Sequence, residues 1–429
     1  MFYIYVDNYR GFSDLTLPLK QVNFLVGENS TGKSSLLKLI RLFMSPEFWI
    51  SPARTIQEIE PDLAVFKDVV SKNSDIKFFF KVGLIYSEIK NGNQKISFSI
   101  FKFTNHADSV FLKRYIRYSD NSILKLEFTK TLPKFKLYKT DNLENSEDGV
   151  LNLFKKTISE DTVDNTGFIT FPKGMANPPL SIAISIAESL LTSKDIKWNE
   201  FRATFPFSLN NSWIAPIRSK PHRIYDGMNL SFTPEGEHAP FVLRKNLKSK
   251  SSSEKFRLDI ETFGVESRLF DSIKAHSYGK SMQSPFEILV EISNSTVNIN
   301  NVGYGVSQVL PLVVDFLSQK RSTNFVVQQP EVHLHPKAQA SLGDLVANIA
   351  REEGHSFFLE THSDFMIDRF RMNLKFNEKK VETQVLFFTR NEYGNSACVI
   401  DIAENGKYIN VPAGYKDFFI KEEFNLLGV

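Results

Sequence analysis

The residues best suited to chemistry stand near the N-terminus, in the run Gly27-Glu28-Asn29-Ser30-Thr31-Gly32-Lys33-Ser34. This is the complete Gly-x-x-x-x-Gly-Lys-Ser spacing, in which the glycines let the backbone curl until its N–H groups converge on phosphate oxygens. A helix that starts at the second glycine adds a favourable dipole. On this reading Gly27, Asn29, Ser30, Thr31, Gly32, Lys33, Ser34 and Ser35 hold the phosphates of ATP. Lys33 reaches the β and γ phosphates, and the Ser34 hydroxyl ligates Mg2+. The flanks must supply the frame: Val22 to Val26 is an apolar run of strand length, and Ser34 to Phe43 has the apolar spacing of a helix packed on a sheet. With strand before and helix after, a chance glycine turn is a poor account of the pattern.

Three later stretches carry the remaining candidate chemistry. Residues 301 to 317, NVGYGVSQVLPLVVDFL, form a glycine-rich turn leading into an apolar helix. Ser307 is expected to be exposed at that helix N-terminus as a second anion site, with Pro311 in the first turn. Residues 325 to 336, FVVQQPEVHLHP, are an apolar strand ending in Gln328, Gln329, Pro330 and Glu331. Residues 355 to 370, HSFFLETHSDFMIDRF, are a second apolar strand, ending in Glu360-Thr361-His362-Ser363. His333 and His335 could suggest a metal, but no third ligand lies nearby, and a structural role is the better reading.

With these motifs in this order, the chain resembles the ABC-type ATPase heads, most nearly the OLD-like bacterial branch that includes the ATPase subunits of the Septu and PARIS anti-phage systems. The resemblance covers about residues 1 to 105 and 295 to 400. It matches Gly27 to Ser34 to the Walker A loop, Gly305 to Gln308 to the signature motif, and Phe325 to Gln329 to the Walker B strand. His362 corresponds to the switch histidine that senses the γ-phosphate. Tyr9-Arg10-Gly11-Phe12 looks like the short N-terminal element whose basic residue, Arg10, lies near the nucleotide. The implied fold is α/β: a P-loop NTPase, an ABC-type ATPase head with a mixed α/β insertion. Residues 1–105 and 295–429 would form the head around the insertion 106–294, with the Walker A and Walker B strands as neighbours. In such heads the signature serine, here Ser307, completes the nucleotide site of the opposite protomer. The implied partners are therefore a second copy, in a homodimer or a higher assembly of dimers, and a separate effector protein, a nuclease.

One feature sets this chain apart. The Walker B strand of nucleotide hydrolases ends in two acids, one linked to magnesium and one acting on the attacking water, and here both are amides. Gln328 can still offer a carbonyl oxygen to a metal-bound water, without negative charge. Gln329 can orient water but cannot accept its proton, and losing a general base costs roughly 10²–10⁴ in rate. Glu331 lies two residues further on, across a proline that fixes the turn, and is the leading candidate for the catalytic carboxylate, with Glu360 next. Slow hydrolysis is expected, by Glu331, Gln329 and His362.

Composition narrows the remaining classes. A chain of 429 residues, 42% hydrophobic with 39 Phe, builds real cores, and a net charge of +3 neither demands nor excludes nucleic acid. A single cysteine, Cys398, rules out an internal disulfide and suits the reducing cytoplasm. No apolar run is long enough to span a membrane, and no signal peptide precedes the first strand. In the middle, alternation around Ile123 to Lys139 predicts strands, PPLSIAISIAESLLTS predicts an apolar helix, TDNLENSEDG an acidic loop, and RKNLKSKSSSEKFR a basic, serine-rich loop. No heptads support a long coiled-coil arm. WIAPIRSKPHRIY, with Arg218, Lys220, His222 and Arg223, reads equally as a solvated basic loop or as a segment that touches nucleic-acid phosphate or a partner protein. Residues 401 to 429 are too few for the Toprim nuclease domain of full OLD-family nucleases. Any cutting residues are expected on another chain. The runner-up functions are a RecF-like DNA-binding repair ATPase and a nucleotide-locked scaffold without turnover.

Overall fold

Period-two alternation of aromatic and β-branched residues fills the first half of the chain, and it produces strands. The computed structural model describes residues 2–72, 77–90, 93–129, 131–140, 146–159, 166–191, 207, 210–249, 253–319, 321–377 and 379–419. Contacts divide the chain into two units: Met1–Leu19, Asn29–Leu209 and Phe388–Cys398 form the first, and Lys20–Glu28, Asn210–Phe387 and Val399–Val429 the second.

The first unit is built on an eight-stranded sheet in the order β2-β1-β4-β5-β6-β7-β8-β9, every pair antiparallel. Its strands are β1 (Phe2–Asp7), β2 (Leu15–Leu19), β4 (Phe79–Lys90), β5 (Asn93–His106), β6 (Ser109–Ser119), β7 (Ser122–Glu127), β8 (Lys134–Lys139) and β9 (Ile169–Thr170). Among the described residues, α1 (Lys33–Met44), α2 (Pro46–Ile50), α3 (Pro52–Ile59), α4 (Phe66–Val69), α5 (Glu147–Ser159) and α6 (Leu180–Leu191) accompany them. Alternation sends Tyr5, Ile85, Phe98, Ile100, Ile116 and Ile123 to one face, where they close over Val150 and Phe154 of α5. On the other face Phe101 packs against Phe43 of α1 and against Phe48 and Trp49 of α2. The strands expected around Ile123 to Lys139 are β7 and β8, and the expected apolar helix is α6. Of the expected acidic loop, residues 141–145 lie outside the described residues, and Glu147 already opens α5.

The second unit holds most of a seven-stranded sheet in the order β10-β14-β15-β3-β16-β17-β18. These are β10 (Asn211–Ile214), β14 (Asn324–Gln328), β15 (Ser356–Glu360), β3 (Val22–Gly27), β16 (Thr383–Asn391), β17 (Gly394–Ile402) and β18 (Tyr408–Ile409). β10, β14, β15 and β3 run parallel, so their carboxyl ends share one edge. All of β3 is buried, as expected of a parallel strand covered on both faces. A small antiparallel sheet of β11 (Ser272–Ser277), β12 (Phe286–Ile292) and β13 (Ser295–Asn298) completes the strands. The helices are α7 (Ala239–Lys248), α8 (Ser253–Ser267), α9 (Tyr304–Ser318), α10 (Pro336–Glu353) and α11 (Asp364–Lys375).

Two expectations need correction here. The Walker A and Walker B strands, β3 and β14, are not neighbours: β15 lies between them and pairs with both, which brings Glu360 and His362 to the centre of the edge. The basic, serine-rich stretch is not a long loop, because α7 runs through Lys248 and α8 starts at Ser253; residues 250–252 lie outside the described residues. The expected boundary at 105 falls inside β5, and that at 294 in the turn between β12 and β13. No helix among the described residues is long and apolar enough to cross a membrane.

α10 and α11 meet at Gly343, where a Cβ would lie 2.3 Å from the Met366 carbonyl oxygen. Just before α11, Ser363 caps that helix by accepting from the Met366 N–H, and its hydroxyl donates to Gln339 of α10 at 2.6 Å. Two effects oppose each other in Gly343→Ala: alanine gains about 1 kcal/mol of helix propensity, and backbone overlap costs about 1–3 kcal/mol. Overlap with a carbonyl cannot be relieved by a rotamer change, so Gly343→Ala is expected to lower the urea midpoint, without loss of far-ultraviolet helix signal.

Candidate functional site

The phosphate-loop sequence has the backbone that its glycines predict. β3 ends at Gly27 with φ 146°, and Gly32, at φ 96°, caps α1. Ser30, at φ 64°, is the one non-glycine of the loop in the left-handed region. Lys33 is buried, Ser34 and Ser35 half-buried, and Asn29 and Ser30 exposed.

In the first unit, the Tyr9-to-Phe12 element braces the start of α1. The Tyr9 hydroxyl donates to the Ser35 carbonyl at 2.9 Å, and Phe12 is fully buried edge-on to Phe388. A Cβ on Gly32 would come within 2.4 Å of the Phe12 ring, so the ring occupies the space that a side chain at 32 would need. Gly394 is pressed in the same way on the Gly11 carbonyl, and the Asn395 side chain donates to the Arg10 carbonyl at 2.9 Å. Arg10 itself, at φ 43°, donates to the Asp62 carbonyl at 2.6 Å. The element is thus a mechanical support for the loop as well as the carrier of a cation.

In the second unit the carboxyl edge gathers the polar ends of β14 and β15. Gln328 pairs in register with Glu360, and its side-chain amide donates to Glu360 Oε2 at 3.1 Å. The Gln329 N–H donates to the Glu360 carbonyl at 2.8 Å, and Gln329 turns into the left-handed region at φ 45°. That turn, followed by Pro330, brings Glu331 back so that its Oε1 accepts the His362 N–H at 2.7 Å. Glu331 Oε2 is sealed from solvent and has no hydrogen-bond partner. Burial raises the Glu331 pKa above the ordinary carboxylate value, against the His362 N–H, the Thr361 side chain and the Arg218 charge, which lower it. The His362 ring lies 6.3 Å from that of Phe418.

The signature segment corrects the expectation for Ser307. α9 begins at Tyr304, so Ser307 sits within its first turn instead of capping it. It is 6% exposed, with its hydroxyl donated back to the Tyr304 carbonyl at 3.1 Å. The exposed residues of this turn are Gly303 and Tyr304. Pro311 lies in the helix interior, not the first turn, and withholds the N–H that the Ser307 carbonyl would otherwise accept. A Cβ on Gly305 would lie 3.0 Å from the His333 carbonyl, which ties α9 to the segment after β14. His335 accepts the Ala338 N–H as the cap of α10, the structural role expected of it.

Arg218 corrects a second expectation. It is not part of a solvated basic loop: it is buried, and its guanidinium approaches the Gln328 and Gln329 carbonyls. Lys220, His222 and Arg223 of the same stretch are exposed.

A phosphate-binding loop between a buried parallel strand and a helix, with two parallel strands delivering polar ends to the same edge, defines an ABC-type P-loop ATPase head. The chain belongs to the family described as "AAA domain, putative AbiEii toxin, Type IV TA system", which it matches over residues 22–368. Over 57 residues it is 42% identical to the uncharacterized protein YbjD of Escherichia coli (strain K12), covering 11% of this chain and 10% of that protein. The chain thus spans about a tenth of the length of this curated relative. Among solved structures it is similar to the SmcHead bound to the C-winged helix domain of ScpA, with TM-score 0.48, 11% identity, and coverage of 94% of this chain and 98% of that one. It is also similar to the SMC head domain from Thermotoga maritima (TM-score 0.40, 10% identity, 94% and 98% coverage). The recombination mediator protein RecF-ATPrS is a third such structure (TM-score 0.31, 11% identity, 90% and 95% coverage).

Gly32→Ala puts a side chain into the Phe12 ring at a φ that L residues adopt at a cost of about 1–3 kcal/mol. The variant is expected to melt at a lower temperature and to bind an ATP analogue at least tenfold more weakly. Calorimetric titration and a melting curve check both.

Proposed function

We propose that this chain is an ATP-binding, slowly ATP-hydrolysing cytoplasmic subunit that works as a homodimer or a higher assembly of dimers and controls a separate effector, a nuclease, in bacterial defence against phage. The observation that carries the reading is the placement of Glu331: a sealed carboxylate of raised pKa, held by the backbone of the switch histidine. A carboxylate with raised affinity for protons suits a general base. In the proposed step Glu331 takes the proton of the attacking water, the water oxygen bonds to the γ-phosphorus, and the bond to the bridging oxygen breaks. Gln329 orients the water, and His362 reports the γ-phosphate. Lys33 and the loop N–H groups hold the phosphates, with Arg10 near the nucleotide.

In this reading Mg2+ would be held by the Ser34 hydroxyl and the Gln328 side-chain carbonyl oxygen, with the Gln328 amide donating to Glu360. Bound there, the ion would offset phosphate charge. Ser307 of each protomer is assigned to the nucleotide of the other, which requires its hydroxyl to leave the Tyr304 carbonyl.

The role in phage defence rests on the resemblance to the OLD-like branch alone. The exposed Lys220 and Arg223, with His222 between them, favour a second reading, a RecF-like ATPase that clamps DNA. Salt-dependent duplex binding by the isolated chain would select that reading, and a neighbouring nuclease gene the first.

Steady-state hydrolysis and nucleotide binding separate the roles. Glu331→Gln is expected to bind ATP, lose roughly 10²–10⁴ in turnover and accumulate the closed dimer. Gln329→Ala should have a smaller effect, and Lys33→Ala should weaken binding itself. Wild-type turnover in Glu331→Gln would move the base role to Glu360, and a wild type that binds ATP without ever turning it over would make the chain a scaffold. Light scattering with a slowly hydrolysed ATP analogue should report a dimer; a monomer, alone and with the natural partner, would sink the assembly.

A further inference from the structure

Pro216-Ile217-Arg218-Ser219 follows β10, and because β10 pairs in parallel with β14, the chain leaves it at the edge where β14 ends. There the usual polarity is inverted, with Ile217 80% exposed and Arg218 3% exposed. Hiding a guanidinium beside an exposed isoleucine costs the fold free energy unless its donors are well used. They are not. Nη2 reaches the Gln328 and Gln329 carbonyls at 3.4 Å each, long for hydrogen bonds, and Nε and Nη1 have no partner.

The carboxylate that acts on this guanidinium is Glu331, whose Oε2 is also sealed and unpartnered. The two do not form a direct ion pair within 4.0 Å. Burial pushes the Arg218 pKa down to about 10, which still leaves it charged at neutral pH. The Gln308 side chain of α9 donates to the Arg218 carbonyl at 3.5 Å, so the segment is held from the signature helix as well.

We propose that Arg218 is a positioning residue for Glu331: its guanidinium lies against the two carbonyls that flank Gln329, the residue in the left-handed region, and sets a fixed positive charge near the carboxylate that this turn delivers. His362 holds Glu331 through its N–H, and Arg218 fixes the turn that carries it. A backbone strut alone would not need two unpartnered N–H groups near a buried carboxylate. The inference rests on the reading of Glu331 as the base.

The test compares ATP hydrolysis and ATP binding in wild type, Glu331→Gln, Arg218→Met, Arg218→Lys and Arg218→Ala, the last with dilute guanidinium and with urea as control. Arg218→Met keeps bulk and drops charge; its kcat is expected to fall roughly 10- to 100-fold with KM changed less than about threefold. Arg218→Lys should fall less, also at unchanged KM. Guanidinium should restore part of the Arg218→Ala rate, and urea should not. The inference is overturned by a wild-type kcat in Arg218→Met, by binding that falls in step with hydrolysis in a variant that melts like wild type, or by guanidinium and urea acting alike. Should the neutral variants fail to fold, Arg218→Lys decides alone: a lowered kcat at unchanged KM supports the inference, and an unchanged kcat or a KM that rises in step overturns it. A wild-type rate in Glu331→Gln removes the base reading whatever Arg218 does; an inactive Glu331→Gln beside a fully active Arg218→Met removes only this inference.

Discussion

The hydrogen bond from the His362 N–H to Glu331 Oε1, at 2.7 Å, fastens the turn after β14 to the end of β15, and the rest of the carboxyl edge is organised around it. A buried carboxylate without a donor costs the fold the desolvation of its charge. Glu331 meets that cost with a main-chain donor, which cannot rotate away as a side chain can. Any shift in the segment after β15 therefore changes the environment of Glu331 directly. The same segment carries His362 and leads into α11, so the donor that holds the carboxylate is fixed by the start of that helix.

Gln328 makes sense as the partner of a neighbouring acid. Acids at 328 and 329 would add to Glu331 and Glu360 to put four carboxylates on one edge, where like charges repel. An amide at 328 instead donates to Glu360, which an aspartate could not do while ionised. Glu360 is buried, and the Gln328 amide gives its carboxylate oxygen a neutral donor.

What the sequence made legible was what short-range pattern controls. The phosphate loop, its strand and its helix follow from glycine spacing and apolar periodicity, and β14 and β15 from apolar runs with polar ends. Topology was not legible in that way: nothing in FFLETHS says that its strand lies between β3 and β14, because parallel neighbours are chosen by packing far along the chain. Burial of Arg218 was hidden because Pro-Ile-Arg-Ser, judged by polarity, puts the isoleucine inside and the arginine outside. Ser307 misled for a smaller reason. The helix starts three residues before the motif serine, and this moves the hydroxyl from the cap to the inner turn. In the serine-rich stretch, charge and serine mask the buried positions of two helices, Leu243 on α7 and Phe256 and Ile260 on α8.

The pairing of β3 with β15, Val22 opposite Phe357, has a consequence for synthesis on the ribosome. The strand that carries the phosphate loop is made well before its hydrogen-bonding partner, with β4 to β14 lying between them in the chain. The antiparallel meander from β4 to β8 needs only consecutive hairpins and can form long before. In that interval β3 is therefore an apolar strand without that neighbour, the kind of edge that invites wrong pairings. Until β15 has been made, the chain carries a complete phosphate-binding sequence whose strand lacks that hydrogen-bonding neighbour.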